Sequence, residues 1–385
     1  MTFPTIRNIS DVFSIYSEER LKDLGFVVIY KDTYTIIDYV VSKERTFETP
    51  LLRELRGIKF AASTGDIISR PLHKFFNVGE SSCPITDLEG CEFYEKLDGS
   101  MIATTSTGLM MTRKGHSDQA QAAIVAMNEM KHWRRYHEFN QACDEAGETA
   151  IFEYTAPTNR IVVKYDKPEL RLIAIRNNIT GEYLDYEFFA IDYGIPYAHK
   201  YVFDYKTNVK EWIDEKENFE GLVLRRGDEF AKVKNADYVL RHRAMDGLRH
   251  EKDVLLLVVD GCIDDFMGLL ADEDLKERLL DYEREVVNRL LQVEEVIWRE
   301  VLKAVDIYET RKEMAMFLKK NLHKQVHGVA FKLLDSLSKS DENIDEHFSV
   351  LTENLKNAIR KSCSSGTKVE IAKEYLLEGV PQWVN

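Results

Sequence analysis

Within the run "FYEKLDGSMIATTS" (Phe93–Ser106), Lys96-Leu97-Asp98-Gly99-Ser100 sets an amine just ahead of a carboxylate and a glycine. An Asp-Gly pair between two strand-like runs reads as a turn and needs no lysine. A lysine becomes a nucleophile when its pKa is lowered, or when a metal and nearby cations help to free its amine. Attack on phosphorus also calls for positive charge around the non-bridging oxygens, because phosphoryl chemistry rests on positioning and electrostatics. A K-x-D-G pattern on its own arises by chance, and most instances are plain turns. The chemistry needs company elsewhere in the chain.

That company is present. Arg56 lies in "LRGIKF", Arg70 and Lys74 in "SRPLHKFFN", and Lys114 in "TRKG". Glu153 lies in "FEYTAPTNRIV", Glu220 opens "EGLVLRR", and Lys232 and Lys234 alternate in "FAKVKNADY". Strand periodicity of two sets those last lysines on one face, with Val233 on the other. Two ammonium groups on one face repel unless they are solvated or an anion lies between them. Each residue by itself reads as solvated surface charge; their joint occurrence in this order points to a phosphate site.

The elements that must position them follow from the wider pattern. The 385 residues suffice for two domains. With 44% hydrophobic and 31% charged residues, the composition is that of a globular protein. No apolar run reaches the roughly 20 residues of a membrane span. The start "MTFPTIRNISDVFSIYSEER" lacks a signal-peptide pattern, so a cytoplasmic location is expected, that of the host cell if the source is a virus. Cys83, Cys91, Cys143, Cys262 and Cys363 show no CxxC spacing, which argues against disulfides and a zinc site. A net charge of −14 disfavours non-specific nucleic-acid binding over the whole surface, though not in a local basic groove.

Residues 1–245 mix strand-like runs (Phe26–Val41, Ala150–Ala156, Leu170–Asn177) with helical periodicity over Ser117–Gly147. Strands and helices do not alternate regularly, so an α+β domain with antiparallel sheets is expected. Residues 246–385 carry apolar residues at three- and four-residue steps, clearest over Glu273–Val305, and read as an all-helical C-terminal domain. His323 and His327 stand one helical turn apart without a third ligand and read as ordinary helix residues. No Walker-type phosphate loop is present.

The ordered set K-x-D-G, F-E, E-G-x-V and K-x-K resembles the covalent nucleotidyltransferases. The longer strings "RGIKF", "SRPLHKFFN", "EYTAPTNRIV", "KVKNADY" and "DGCIDDFMGLLADED" are similar to the family of phage T4 RNA ligase 1, over nearly the whole chain. The resemblance implies a nucleotidyltransferase (adenylation) domain at 1–245 and a helical domain at 246–385 concerned with RNA, specifically tRNA, preference. It implies an ATP-dependent RNA ligase that adenylylates Lys96, passes AMP to an RNA 5′-phosphate, and joins that end to a 3′-hydroxyl. Asp98 and Gly99 would shape the lysine's turn and its metal environment. Glu153 and Glu220 would serve as ATP or metal contacts. Lys232 and Lys234 would meet the α-phosphate, and Arg56 and Lys74 the β- and γ-phosphates. Phe76, Lys114 and Tyr238 match further ATP-binding positions. Asp264 and Asp265 would support a second metal, so two Mg²⁺ ions are expected, with Mn²⁺ as a substitute. Nicked tRNA in phage RNA repair, a monomeric state and an accompanying end-healing kinase-phosphatase complete the expectation.

Two alternatives share parts of this pattern. A DNA ligase or capping enzyme would usually follow the K-x-K strand with a β-rich OB barrel, whereas here the chain turns helical. A non-catalytic RNA-binding module would tolerate loss of Lys96, Glu153 or Lys232, and all three are present. Arg241, His242, Arg243, Arg249 and His250 are candidates to line an RNA groove, with a solvated helix face as the other reading.

Overall fold

The computed structural model describes residues 3–384 apart from 132, 271 and 339–343. His132, inside the expected 117–147 helix, lies outside the described residues, as do the outermost ends of the two expected domains. The chain divides into two compact units, Met1–Val239 and Leu240–Asn385. The division falls within the helix Ala236–Gly247, shortly before the expected boundary.

The first unit holds three sheets. β1 (Phe26–Tyr30), β2 (Tyr34–Tyr39), β3 (Ile58–Ala61) and β4 (Ile67–Ser69) form an antiparallel meander. β7 (Ser100–Thr104), β8 (Met110–Met111), β9 (Glu148–Thr155) and β10 (Glu169–Asn177) pair in the order β10-β9-β7-β8. The third sheet runs β11-β6-β12-β13-β5, from Lys200–Tyr201, Glu92–Glu95, Gly221–Arg226, Glu229–Lys234 and Phe76–Asn77 respectively. All pairs between these strands are antiparallel save β13 with β5, which is parallel. The α+β architecture is the expected one, with that single exception.

Helical periodicity over 117–147 resolves into two helices, Asp118–Glu129 and Trp133–Glu145. Met130 breaks them with an extended backbone (ψ 143°). Their apolar stripe, which includes Ala123, Met127, Tyr136 and Phe139, packs on Phe152, Leu170 and Leu172 of the second sheet. In the third sheet Phe93, Leu222, Leu224 and Ala231 are buried with Ile85, Val209 and Ile213. Alternation along the strands leaves the opposite face, with Tyr94, Val223, Arg225, Lys232 and Lys234, for the site.

The second unit is helical. Its longest element, Glu273–Ile307, starts where the Asp272 side chain accepts from the Leu275 N–H. It buries Leu275, Leu279, Tyr282, Val286, Val293, Ile297 and Val301 along one stripe. Among the described residues no helix is long and apolar enough to cross a membrane. All five cysteines are free.

One buried charge cluster knits the first unit together. The Glu54 carboxylate accepts from Arg70 Nε at 2.9 Å and from Arg176 Nη1 and Nη2 at 2.9 and 3.0 Å. The remaining guanidinium hydrogens go to backbone carbonyls: Pro4, Asn178 and Ile179 from Arg70, Pro71 and Gly181 from Arg176. Arg70, quoted above among the candidate phosphate cations, is fully buried here and structural. Burial pushes the Glu54 carboxyl up, but Arg176 and Arg70 overcome that and hold it at about 2. Its stabilisation is therefore complete above the ordinary carboxylate range and is lost as pH falls towards 2. Glu54→Gln should cost about 3–5 kcal/mol, since it leaves two buried guanidiniums uncompensated. Urea unfolding at pH 7 checks this, and a variant as stable as wild type would contradict it.

Candidate active site

Lys96 sits where the chain leaves β6 and crosses from the third sheet to the second. The sequence suggested a turn between paired strands, but β6 and β7 belong to different sheets and do not pair. The glycine answers to space rather than to turn geometry. A Cβ on Gly99 would lie 2.2 Å from the Tyr154 carbonyl oxygen of β9. Gly221 is constrained likewise: its φ is +145°, and a Cβ would meet the Val233 oxygen at 2.1 Å. The Lys96 N–H donates to the Gly221 carbonyl at 3.0 Å, which ties the start of the crossing to β12.

Asp98 is 2% exposed and fully engaged. Its Oδ2 accepts from the Val162 and Val163 N–H groups, each at 2.8 Å, and its Oδ1 from the Tyr238 hydroxyl at 2.7 Å. The Asp98 N–H donates to the Tyr165 hydroxyl at 3.0 Å. These partners make Asp98 an anchor for the crossing. Tyr238, expected at the nucleotide, is a buried support for Asp98 instead and does not line the cavity.

The Lys96 ammonium meets Glu220 Oε2 at 2.7 Å, and Lys234 meets Oε1 of the same carboxylate at 3.1 Å. Glu220 is 3% exposed, and both its oxygens are taken. Burial alone would lower the Lys96 pKa, yet Glu220, Glu153 and Asp98 raise it above the ordinary lysine value, so the amine rests protonated. Lys232 behaves oppositely: burial, then Lys74, Lys96 and Lys234, push it down to about 8. Glu153 is pushed up to about 8 by burial, an effect that Glu220 and Asp98 reinforce and Lys96 opposes. Its Oε1 accepts from the Gly99 N–H at 3.2 Å.

These groups surround a cavity of about 560 Å³. Arg56, Lys74, Lys96, Gly99, Lys114, Glu153, Lys232 and Lys234 line it, which brings together most of the residues singled out from the sequence. Phe76 does not line it. Register pairs Phe76 with Ala231, on the face away from Lys232, and its ring packs against Phe47 at 6.2 Å. Phe75 takes the wall position, 5.8 Å from Lys232. A two-residue strand is too short to betray its alternation in sequence. Tyr39, Arg113, Tyr183, Arg225 and Phe230 also line the cavity and carried no spacing signal, apart from Arg113 standing beside Lys114.

The donor set bears on a divalent cation. Among the described residues no three His, Cys, Asp or Glu side chains converge on one point. Glu153 is the acid near Lys96 with an oxygen not hydrogen-bonded to the described protein, and burial holds its pKa up. One hard carboxylate oxygen suits a small ion that keeps its waters and takes substrate phosphates. Asp264 and Asp265 are exposed in the first turn of the helix Ile263–Met267, in the second unit. The expectation of a second ion there rests on the resemblance alone.

Two lesser expectations concern the second unit. Asp246 pairs with His242 at 3.1 Å and with Arg249 at 3.2 Å, offsetting part of that basic cluster. His327 opens the helix His327–Leu337, with its Nε2 bonded to the Leu322 carbonyl; His323 lies outside that helix, capping the short turn Lys324–Val326 and stacking on Tyr375, so only His327 is the helix residue expected.

Residues 54–243 match the family profile described as RNA ligase, of the T4 RNA ligase 1 type. A Thermovibrio ammonificans protein provisionally named RNA ligase is 33% identical over 283 residues, covering 68% of this chain and 73% of that protein. RNA ligase 1 of bacteriophage TS2126 is 29% identical, covering 62% of this chain and 64% of its own. A provisionally named bifunctional polynucleotide kinase/RNA ligase of Autographa californica nuclear polyhedrosis virus is 28% identical, covering 69% of this chain and 40% of its own. A solved structure of Naegleria gruberi RNA ligase with PPi overlays 40% of this chain and 51% of its own, at 16% identity and a TM-score of 0.32. The match to the Thermovibrio protein over most of both chains, together with the profile, shows that this chain belongs to the T4 RNA ligase 1-like family of RNA ligases.

Proposed function

We propose that this RNA ligase works by covalent nucleotidyl transfer from ATP through Lys96. The observation that carries the reading is the Lys96 ammonium paired with buried Glu220 on the wall of a cavity that also presents Arg56, Lys74, Lys114, Lys232 and Lys234. Five further cations around one amine suit a polyphosphate. In the first step the Lys96 nitrogen forms a bond to the α-phosphorus, the bond to pyrophosphate breaks, and the ammonium proton is given up. Glu220, already 2.7 Å away, is the nearest base of the chain. The AMP then passes to the 5′-phosphate of an RNA, and a 3′-hydroxyl attacks that phosphorus with release of AMP.

Each cation has a part. Lys232 and Lys234, on one face of β13 opposite Val223 and Gly221, suit the α-phosphate. Arg56 and Lys74 suit the β- and γ-phosphates, with Lys74 braced over the rings of Tyr39, Phe47 and Phe76 at 5.0–5.5 Å. A divalent cation, Mg²⁺ or Mn²⁺, held through Glu153 would supply charge neutralisation and lower the lysine's proton affinity. The finer readings, repair of nicked tRNA during phage infection and tRNA preference through the helical unit, draw on the family resemblance. A relative whose name joins a polynucleotide kinase to an RNA ligase supports an end-healing activity beside this one.

Two outcomes follow. Incubation with α-labelled ATP and Mg²⁺ should mark wild type covalently and leave Lys96→Ala blank on a denaturing gel, while the variant still seals pre-adenylylated RNA. A labelled variant would assign the nucleophile elsewhere. Tyr238→Phe removes one of three bonds to Asp98 and should slow lysine adenylylation about tenfold, roughly 1.4 kcal/mol. Single-turnover labelling and a melting curve separate that effect from unfolding, and an unchanged rate would make the hydroxyl dispensable.

A further inference from the structure

Arg113 is a cation of the cavity wall that the family pattern in the sequence did not assign. Its Nε forms an ion pair with Asp38 Oδ2 at 3.2 Å, and its guanidinium lies 4.6 Å from the centre of the Tyr39 ring. Its stem passes over Gly57, where an added Cβ would stand 2.6 Å from Arg113 Cγ. The same Cβ would stand 2.6 Å from the Arg113 carbonyl oxygen, so Gly57 admits the backbone of residue 113 as well as its stem, and the side chain keeps 27% of its surface exposed. The seat is unusual for its cost. Asp38 is 2% exposed, its Oδ1 has no hydrogen-bond partner, and Arg113 is its ion-pair partner among the described residues. A buried carboxylate with an unsatisfied oxygen is expensive to keep unless it holds something in place.

The surroundings indicate what is held in place, and for which ligand. Tyr39, Arg56, Lys74 and Arg113 all line the cavity, with Lys74 and Arg113 within 5.4 Å of the Tyr39 ring and buried Asp38 behind Arg113. Burial would raise the Tyr39 phenol, yet Lys74, Arg113 and Arg56 hold it below its ordinary range, so the wall is strongly positive. A guanidinium oriented through Nε presents its remaining N–H groups as a rigid fork, the geometry suited to phosphate oxygens.

We propose that Arg113, seated by buried Asp38, binds the pyrophosphate portion of the nucleotide, with Asp38 as its positioning residue. The inference rests on the nucleotidyl-transfer reading above and adds a consequence to it. Arg113 would act in lysine adenylylation, where pyrophosphate leaves, and have little part in sealing an RNA end that already carries AMP.

The test titrates inorganic pyrophosphate calorimetrically into wild type, Arg113→Met, Arg113→Lys and Asp38→Asn, each with a melting curve. It is paired with KM and kcat for lysine adenylylation and with the rate on pre-adenylylated RNA. Arg113→Met should weaken pyrophosphate binding at least about tenfold and raise the KM for ATP, with a much smaller loss in sealing. Arg113→Lys should recover part of the affinity through charge alone, and Asp38→Asn should fall between wild type and Arg113→Met. Unchanged pyrophosphate affinity in Arg113→Met overturns the inference, and so does equal loss of both steps. If Arg113→Met melts early, Arg113→Lys becomes the deciding comparison, and full wild-type affinity there overturns the role of the fork. A wild type that binds pyrophosphate through Arg113 but never labels with ATP would instead sink the nucleotidyl-transfer reading.

Discussion

The Asp98 carboxylate is the point on which the site depends. Three donors from separate parts of the chain converge on it: the N–H groups of Val162 and Val163, beyond β9, and the Tyr238 hydroxyl, beyond β13. A buried carboxylate requires such partners, and here meeting that requirement also fixes the path of residues 96–99 between two sheets. Lys96 is thereby delivered to the cavity by backbone rather than by a flexible loop. Gly99 and Gly221 let the neighbouring strands close to distances that no side chain allows.

Electrostatics set the resting state of that lysine. Glu220 is shared between Lys96 and Lys234, and burial keeps Glu153 beside them from ionising easily. Opposed pKa shifts in neighbouring groups, Lys232 down and Glu153 up, mark a place where ligand charge completes the balance. The cavity in the free chain thus stores an arrangement suited to an anion that brings a cation with it.

Much of this was legible in the sequence, because it depended on local periods. Lys232 and Lys234 share a face by strand alternation, and the apolar steps of 273–307 predicted a long helix. What escaped depended on tertiary partners. The Asp-Gly pair looked like a hairpin turn, and only sheet membership shows it to be a crossing. Phe76 and Phe75 exchanged roles because β5 is too short to show its alternation. Tyr238 was singled out, but nothing in "KVKNADY" reveals that its hydroxyl reaches a carboxylate 140 residues earlier. Arg113 and Asp38 escaped altogether, because neither spacing nor composition marks a buried acid that seats an arginine.

The Glu54 cluster carries a consequence for how the chain is made. Glu54 waits for a partner 122 residues downstream. At roughly 5–20 residues per second of synthesis, that interval lasts on the order of ten seconds. Arg70, 16 residues on, can neutralise Glu54 early, whereas Arg176 and the Gly181 carbonyl that orients it complete the cluster only later. Completion of the cluster therefore belongs to a stage of synthesis after β10 has been made, when the second guanidinium joins a pair that can already have formed.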